Sequence, residues 1–267
     1  MTIETERQGK TLIIRLNRPE ALNALDVDSM RAFNQELRRF RDDPYLMVAV
    51  VTGTGERAFC TGADLKRTLP PETSFAEAYF HSYERSVDEG LYVRAITISE
   101  LEINKPLIAA VNGHALGGGA EIALDCDLRI ASDNATFGLP EPRWASVPAV
   151  GGVSKLLRAV PRAVAMKMIL TGDRIDAAEA HRIGLVSDVI PAGKLLAHAL
   201  EIADRIAANG PLAIKSLKTL AMRTEDLSLS KSVELEQLLW GLLRDTKDRV
   251  EGRTAFAERR TPQYQGR

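Results

Sequence analysis

Two glutamates in this chain are placed to do chemistry together. Glu121 follows Gly117-Gly118-Gly119 and sits among Ala120, Ile122, Ala123 and Leu124. A carboxylate on a mostly apolar helix has to be paired, protonated or functional. Glu141 stands between two prolines, in Phe137-Gly138-Leu139-Pro140-Glu141-Pro142. That stretch can be neither a helix interior nor a central strand, and its prolines hold the backbone at less entropic cost than a free loop. Two positioned carboxylates can handle water and a proton in one step, one as base and one as acid. Read singly, each has a plainer role: Glu121 as a first-turn acid facing the helix dipole, Glu141 as a loop acid.

The glycines beside Glu121 offer a second ingredient. From Ala110 to Leu124 a buried-strand run passes through Gly113 and Gly117-Gly118-Gly119 into a helix. The first N–H groups of a helix lack internal partners and carry positive partial charge, so they can hold a negatively charged oxygen. The glycine order is G-x-x-x-G-G-G, which is neither a dinucleotide fingerprint nor a phosphate-binding P-loop. Glycines also gather where a turn needs positive φ or close packing, and both readings stay open here. Cys60-Thr61-Gly62-Ala63-Asp64 is a second such turn, either aiming an N–H outward or simply reversing the chain.

Other reactive types lack the spacing that chemistry needs. His81, His114, His181 and His198 form no HxxxH or HExxH pattern, so no metal site is expected. His114 is expected to make a structural hydrogen bond. Ser146 and Ser154 lie in no G-x-S-x-G elbow. Asp125 and Asp127 read as groups serving a helix end and a strand start. Arg259-Arg260 reads as a solvated terminus or a phosphate contact.

The elements that must position these residues follow from periodicity. Residues 2–7 and 11–17 read as two strands around Gln8-Gly9-Lys10. Val27, Met30, Phe33, Leu37 and Phe40 recur at helical spacing, so Asp26 to Asp43 is an amphipathic helix. Leu46–Thr52 and Pro106–Asn112 are apolar runs suited to buried strands, and residues 68–73 read as a surface loop. Ser74 and Glu77 form a capping box that opens a helical stretch reaching about Asn104. A short helix is expected near 119–126 and a strand near 128–132. Beyond the Pro/Gly-rich segment 138–152, helices are expected at 153–160, 162–170, 177–183, 193–209, 211–224 and 228–244. Only Val186–Ile190 interrupts them as a strand.

Composition sets the frame. A chain of 267 residues with 45% hydrophobic and 27% charged residues is long and apolar enough for a substantial core. A net charge of −1 advertises neither nucleic acid nor an anionic membrane as partner. The two cysteines, Cys60 and Cys126, form no CxxC pair, which argues against disulfides and points to a reducing compartment. The N-terminus has no signal-peptide pattern and no apolar run is long enough to span a bilayer. The expectation is a soluble, cytoplasmic α/β protein. Residues 1–200 would form the core carrying the site, and residues 201–267 a helical C-terminal region.

The whole chain resembles the enoyl-CoA hydratase/isomerase family, the crotonases. The resemblance runs through Leu16-Asn17-Arg18-Pro19, Ala21-Leu22-Asn23-Ala24-Leu25, Phe59-Cys60-Thr61-Gly62-Ala63-Asp64-Leu65 and Asn104 to Gly113. It continues through the triple glycine with Glu121, Cys126-Asp127, Phe137 to Glu141, Leu170-Thr171-Gly172, Ala180 to Val186 and Phe256-Ala257-Glu258-Arg259-Arg260. It implies a spiral of ββα units with a helical C-terminal trimerisation region, assembled as a homotrimer or a dimer of trimers. It implies acyl-CoA substrates, with coenzyme A entering as part of the substrate and no separate cofactor. The backbone N–H groups of Ala63 and Gly118 would form the oxyanion hole. Glu121 would act as base toward water and Glu141 would protonate Cα. Ala24, Gly62, Ala63, Asp64, Leu65, Lys66, Gly117, Trp144 and Arg259 would contact CoA or the acyl group. The implied reaction is hydration of a 2-enoyl-CoA or its reverse. Isomerisation or thioester hydrolysis on the same scaffold is the alternative, and a non-catalytic RNA- or partner-binding member the second. The chain departs from the family's pattern at Ala145 and Ala149, where glycines are usual, and Trp144 adds bulk. These departures point toward an acyl group other than the standard short chain.

Overall fold

The computed structural model describes residues 1–68, 74–88 and 90–267. A hairpin opens the chain, β1 (Ile3–Gln8) and β2 (Thr11–Leu16), turning at Gly9 in the left-handed region at φ +58°. From β2 the sheet continues in parallel through β3 (Val48–Gly53), β5 (Leu107–Val111), β7 (Leu128–Ser132) and β10 (Asp188–Ile190). Strands β3 and β5 are buried along their whole length, as parallel strands covered on both faces must be, and they read as unbroken apolar runs.

A second, smaller sheet runs alongside. It orders β4 (Ala58–Cys60), β6 (His114–Leu116), β8 (Thr136–Gly138) and β9 (Ile175–Asp176), with the first three parallel and β9 antiparallel. Each long strand of the first sheet therefore feeds a short strand of the second: β3 into β4, β5 into β6, β7 into β8. Helices follow each pair, which is the ββα spiral that the resemblance implied.

Helix α1 (Val27–Asp42) starts on the Asp26 side chain, which accepts from the Ser29 N–H at 3.0 Å. Its inward face is Met30, Phe33, Leu37 and Phe40, the spacing that announced it. Its C-terminal end is capped by buried Lys105, whose Nζ donates to the carbonyls of Phe40, at 2.8 Å, and Asp43. A cation on the last carbonyls complements the helix dipole, and burial brings this lysine's pKa down to about 8.

The long helix expected from Ser74 to about Asn104 does not form. The capping box between Ser74 and Glu77 is present, but it opens only α2 (Phe75–Phe80). Then come α3 (Tyr83–Asp88) and two 3-10 turns, Tyr92–Ile96 and Ser99–Leu101. The chain leaves helical geometry at His81, at Gly90 (φ +114°) and at Glu102 (φ +48°). A straight helix would bury only one stripe. The broken path brings Ala95, Ile96, Ile98, Leu101 and Ile103 into the core from several sides. The surface loop expected at 68–73 lies, beyond Thr68, outside the described residues.

After β8 come α4's partners in the core. Helix α4 (Gly118–Asp125) packs on α5 (Gly152–Ala159), and α5 on α6 (Arg162–Thr171). Helix α7 (Ala177–Arg182) follows β9, so the helical second half holds a strand besides β10 that the sequence reading did not expect. Helix α8 (Leu195–Ala207) covers the other face of the large sheet through Leu195, Ala199, Ala203 and Ala207. Residue 200 lies within α8, whose buried face reaches Ala207. Helices α9 (Pro211–Thr224) and α10 (Leu229–Arg244) pack on each other. A further helix, α11 (Lys247–Glu258), escaped the sequence reading. The chain end folds back on it: Asp248 accepts from the N–H groups of Gln265 and Gly266, each at 2.7 Å. Among the described residues no helix is long and apolar enough to cross a membrane.

Candidate active site

Because β4, β6 and β8 are parallel neighbours, their carboxyl ends lie side by side, the usual place for a site in parallel sheets. Each end delivers one component. After β4 the chain turns through Thr61-Gly62-Ala63. After β6 it turns through Gly117 into α4. After β8 it passes Leu139-Pro140 into the 3-10 turn Glu141–Trp144. Gly62 (φ +88°) and Gly117 (φ +53°) hold conformations that other residues rarely adopt. Close approach also requires them: a Cβ on Gly62 would sit 2.9 Å from the Gly118 nitrogen, and one on Gly117 2.9 Å from Glu141 Oε1.

The first turn is braced from outside. Leu25 N–H donates to the Gly62 carbonyl and Asp64 N–H to the Leu25 carbonyl, at 2.8 and 2.9 Å. This bridge leaves the Ala63 N–H on the opposite side. Arg18 donates to the Ala24 carbonyl at 2.7 Å and pairs with Asp64 at 3.0 Å. Asn23 Nδ2 donates to the Ala58 carbonyl at 2.7 Å. Among the described residues neither the Ala63 N–H nor the Gly118 N–H has a protein acceptor.

Glu121 lies on the first turn of α4 and is only 2% exposed. Its Oε1 accepts from Val150 N–H at 2.7 Å and Gly152 N–H at 2.8 Å, both from the turn that starts α5. Burial raises its pKa; the two N–H groups pull it back, Asp125 adds to the rise and Lys155 opposes it. Glu141 heads its own short turn, and its Oε2 is buried with no partner. Burial lifts its pKa to about 7, with a contribution from the Glu121 charge against a hydrogen bond from backbone N–H. Ala145 closes the turn in the left-handed region at φ +54°, a conformation that favours glycine.

A pocket of about 180 Å³ joins these parts. Eight of the predicted site residues line it: Gly62, Ala63, Leu65, Gly117, Gly118, Glu121, Glu141 and Trp144. The other four do not. Ala24 is buried beneath Arg18, and Asp64 is spent on the Arg18 pair. Lys66 is exposed next to Leu65, and Arg259 is exposed at the end of α11. Ser146 and Ala149 also reach the lining. His114 makes the expected structural contact, Nδ1 lying 2.8 Å from Thr136 Oγ1. Asp127 accepts from Leu107 N–H at 2.7 Å, so it does serve a strand start. Asp125 does sit at the helix end, as the last residue of α4, where its side chain pairs with Lys155. Both cysteines are buried, which pushes each thiol up to about 12. Among the described residues no cluster of three or more His, Cys, Asp or Glu side chains is placed to hold a metal ion.

Sequence reasoning missed Tyr92, Val93 and Ile96, which wall the pocket from the 3-10 turn. They were hidden in the supposed long helix, where nothing in their spacing singled them out. It also missed Val150 and Gly152 as the donors that hold Glu121, because a backbone N–H carries no residue signature.

Comparison with known proteins agrees with this geometry. The family model for enoyl-CoA hydratase/isomerase matches residues 6–267. The chain is 44% identical over 266 residues to an (E)-benzylidenesuccinyl-CoA hydratase of Thauera aromatica, covering 100% of both. It is 40% identical to a carnitinyl-CoA dehydratase of Proteus mirabilis, covering 97% of both. Among solved structures, an enoyl-CoA hydratase from Bacillus anthracis superposes with a TM-score of 0.89 at 35% identity, covering 100% of both chains. With the site, the spiral and the sequence in accord over the whole length, the chain is an enzyme of crotonase fold and belongs to the enoyl-CoA hydratase/isomerase family.

Proposed function

We propose that this enzyme adds water across the double bond of a 2-enoyl-CoA to give a 3-hydroxyacyl-CoA, or runs the reverse dehydration. The observation that carries the reading is the convergence on one pocket of a buried carboxylate, Glu121, a half-buried one, Glu141, and two backbone N–H groups without protein acceptors. The thioester oxygen accepts from Ala63 and Gly118. Glu121, as carboxylate, takes a proton from water while the water oxygen bonds to Cβ. The double-bond electrons move through Cα onto the thioester, and the two N–H groups hold the resulting enolate. One donor of this kind is typically worth about 2.7–4 kcal/mol. Glu141 then gives its proton to Cα. Before the next turnover Glu121 loses a proton and Glu141 regains one, through solvent.

The environments support this division of labour. Two N–H donors favour the charged form of Glu121, as a base requires. Burial without a partner favours the neutral form of Glu141, whose pKa of about 7 suits an acid near neutrality. The steps as written use no metal or redox group, and coenzyme A enters with the substrate.

The acyl end is proposed to be bulky and uncharged. Tyr92, Val93, Ile96, Trp144 and Val147 form that wall, and among the described residues no cation lines the pocket. A carboxylate at the acyl terminus would lose its hydration there without compensation. The test is turnover in ¹⁸O-water of three substrates: crotonyl-CoA, a phenyl-terminated 2-enoyl-CoA and a carboxylate-terminated one. The expected product carries one ¹⁸O on Cβ, with no thiol released, and kcat/KM is highest for the phenyl substrate. Thiol release would replace hydration by thioester hydrolysis, and a preference for the carboxylate substrate would overturn the acyl assignment.

A further inference from the structure

The mechanism above uses Glu121 but not the charged pair one turn further along the same helix. Asp125 ends α4, where the helix dipole disfavours an acid, and only 5% of its side chain is exposed. Its Oδ1 is held by Lys155 on α5, and the Ile98 N–H also favours its charged form. Lys155 does more than neutralise it. Its Nζ also lies 3.5 Å from the carbonyl of Val150, the residue whose N–H holds Glu121. Its stem passes over Gly151, where a Cβ would stand 2.9 Å from Lys155 Cε. The pair thus ties the end of α4 to the start of α5 across the turn that supplies both donors to Glu121. Behind it lies a cavity of about 440 Å³, lined also by Asp127, Arg129, Arg158 and Lys218.

We propose that Asp125 and Lys155 are positioning residues: their ion pair fixes the Val150–Gly152 turn on Glu121 and sets the field in which that carboxylate exchanges its proton. The inference rests on the role given to Glu121 above. The charged groups facing Glu121 are Asp125 on its own helix, Lys155 on α5 and Glu141 on the neighbouring turn. From α9, Lys218 acts on Asp125, and β4 presents only the neutral Cys60 thiol. Lys155 favours the Glu121 carboxylate and Asp125 opposes it. Removing either charge therefore moves Glu121 in opposite directions, which a merely structural pair would not do.

The experiment uses the full chain in its native assembly, with the 2-enoyl-CoA it turns over best. Lys155→Met keeps the stem and removes the charge. It is expected to lower kcat about ten- to hundred-fold, the cost of a small misplacement of a reacting group, with KM nearly unchanged. The acid limb of its kcat profile moves up by roughly half a pH unit or more. Asp125→Asn moves that limb down, and Lys155→Arg restores kcat. The double variant Asp125→Asn/Lys155→Met leaves no buried charge unpaired, so it folds if Lys155→Met does not. It is expected to return the limb close to its original pH while kcat stays low. A ¹³C-carboxyl titration of Glu121, assigned through Glu121→Gln, reads the same shifts without substrate. If no enoyl-CoA is hydrated, the proposed function fails while this titration still decides the positioning role. Variants that change thermal stability alone, with kcat, the pH limb and the Glu121 titration unmoved, overturn the inference.

Discussion

At the scale of single residues, the role proposed for Glu141 carries a cost in stability. Its pKa is raised from 4.5 to about 7 by burial, so the folded protein prefers it protonated. Unfolded, it ionises near its ordinary value. The cost to the fold is absent below about pH 4.5, grows as pH rises and is full above about pH 7. Glu141→Gln keeps the shape without the charge. It is therefore expected to raise the melting temperature at pH 8 and leave it unchanged at pH 4, by calorimetry across that range. An equal gain at both pH values would contradict the assignment. The same pKa predicts that hydration slows as pH rises through about 7, because the acid is then lost. Both glutamates were legible in the sequence, one from its apolar helix and the other from its prolines. The Asp125–Lys155 pair was not, because its partners are 30 residues apart and meet only through packing.

At the scale of elements, the site depends on turns that accept no side chain. A Cβ on Gly119 would lie 2.0 Å from the Cys60 carbonyl oxygen, with backbone on both sides of the contact. Gly119→Ala is expected to cost 2 kcal/mol or more, on the order of a strongly overpacked core, read as a lower urea midpoint. Ala145 presents the reverse case, an alanine at φ +54°. Left-handed backbone costs an ordinary residue roughly 1–2 kcal/mol, so Ala145→Gly is expected to stabilise by about 1 kcal/mol. No change in the urea midpoint would mean that the turn tolerates Cβ freely. Long elements announced themselves: α1, β3 and β5 have enough residues for a period or an apolar run. Strands β6, β8 and β9 have two or three residues each, too few for either. The parallel neighbours β4, β6 and β8 bring the three turns together, so the convergence of the site came from the resemblance and not from any pattern within those short strands.

At the scale of the whole molecule, the C-terminal helices are the least self-sufficient part. Leu238, Trp240 and Leu242 on α10 are 59%, 61% and 65% exposed, and Leu217 on α9 and Phe256 on α11 are exposed as well. Large apolar side chains exposed on three successive helices call for a partner, and we propose that copies of this chain supply it, as the trimer of the resemblance implies. Light scattering coupled to gel filtration is expected to return a multiple of 29.3 kDa, and Leu242→Glu to reduce it. A monomer at every concentration would contradict this proposal. The proposed hydration needs two carboxylates acting on one water. The most direct measurement follows the conjugated thioester absorbance of a phenyl-terminated 2-enoyl-CoA, with a thiol assay in parallel, for the native chain, Glu121→Gln and Glu141→Gln. The expected result is absorbance loss without thiol, and a fall of about 10²- to 10⁴-fold in each variant. Near-native hydration by either variant would contradict it.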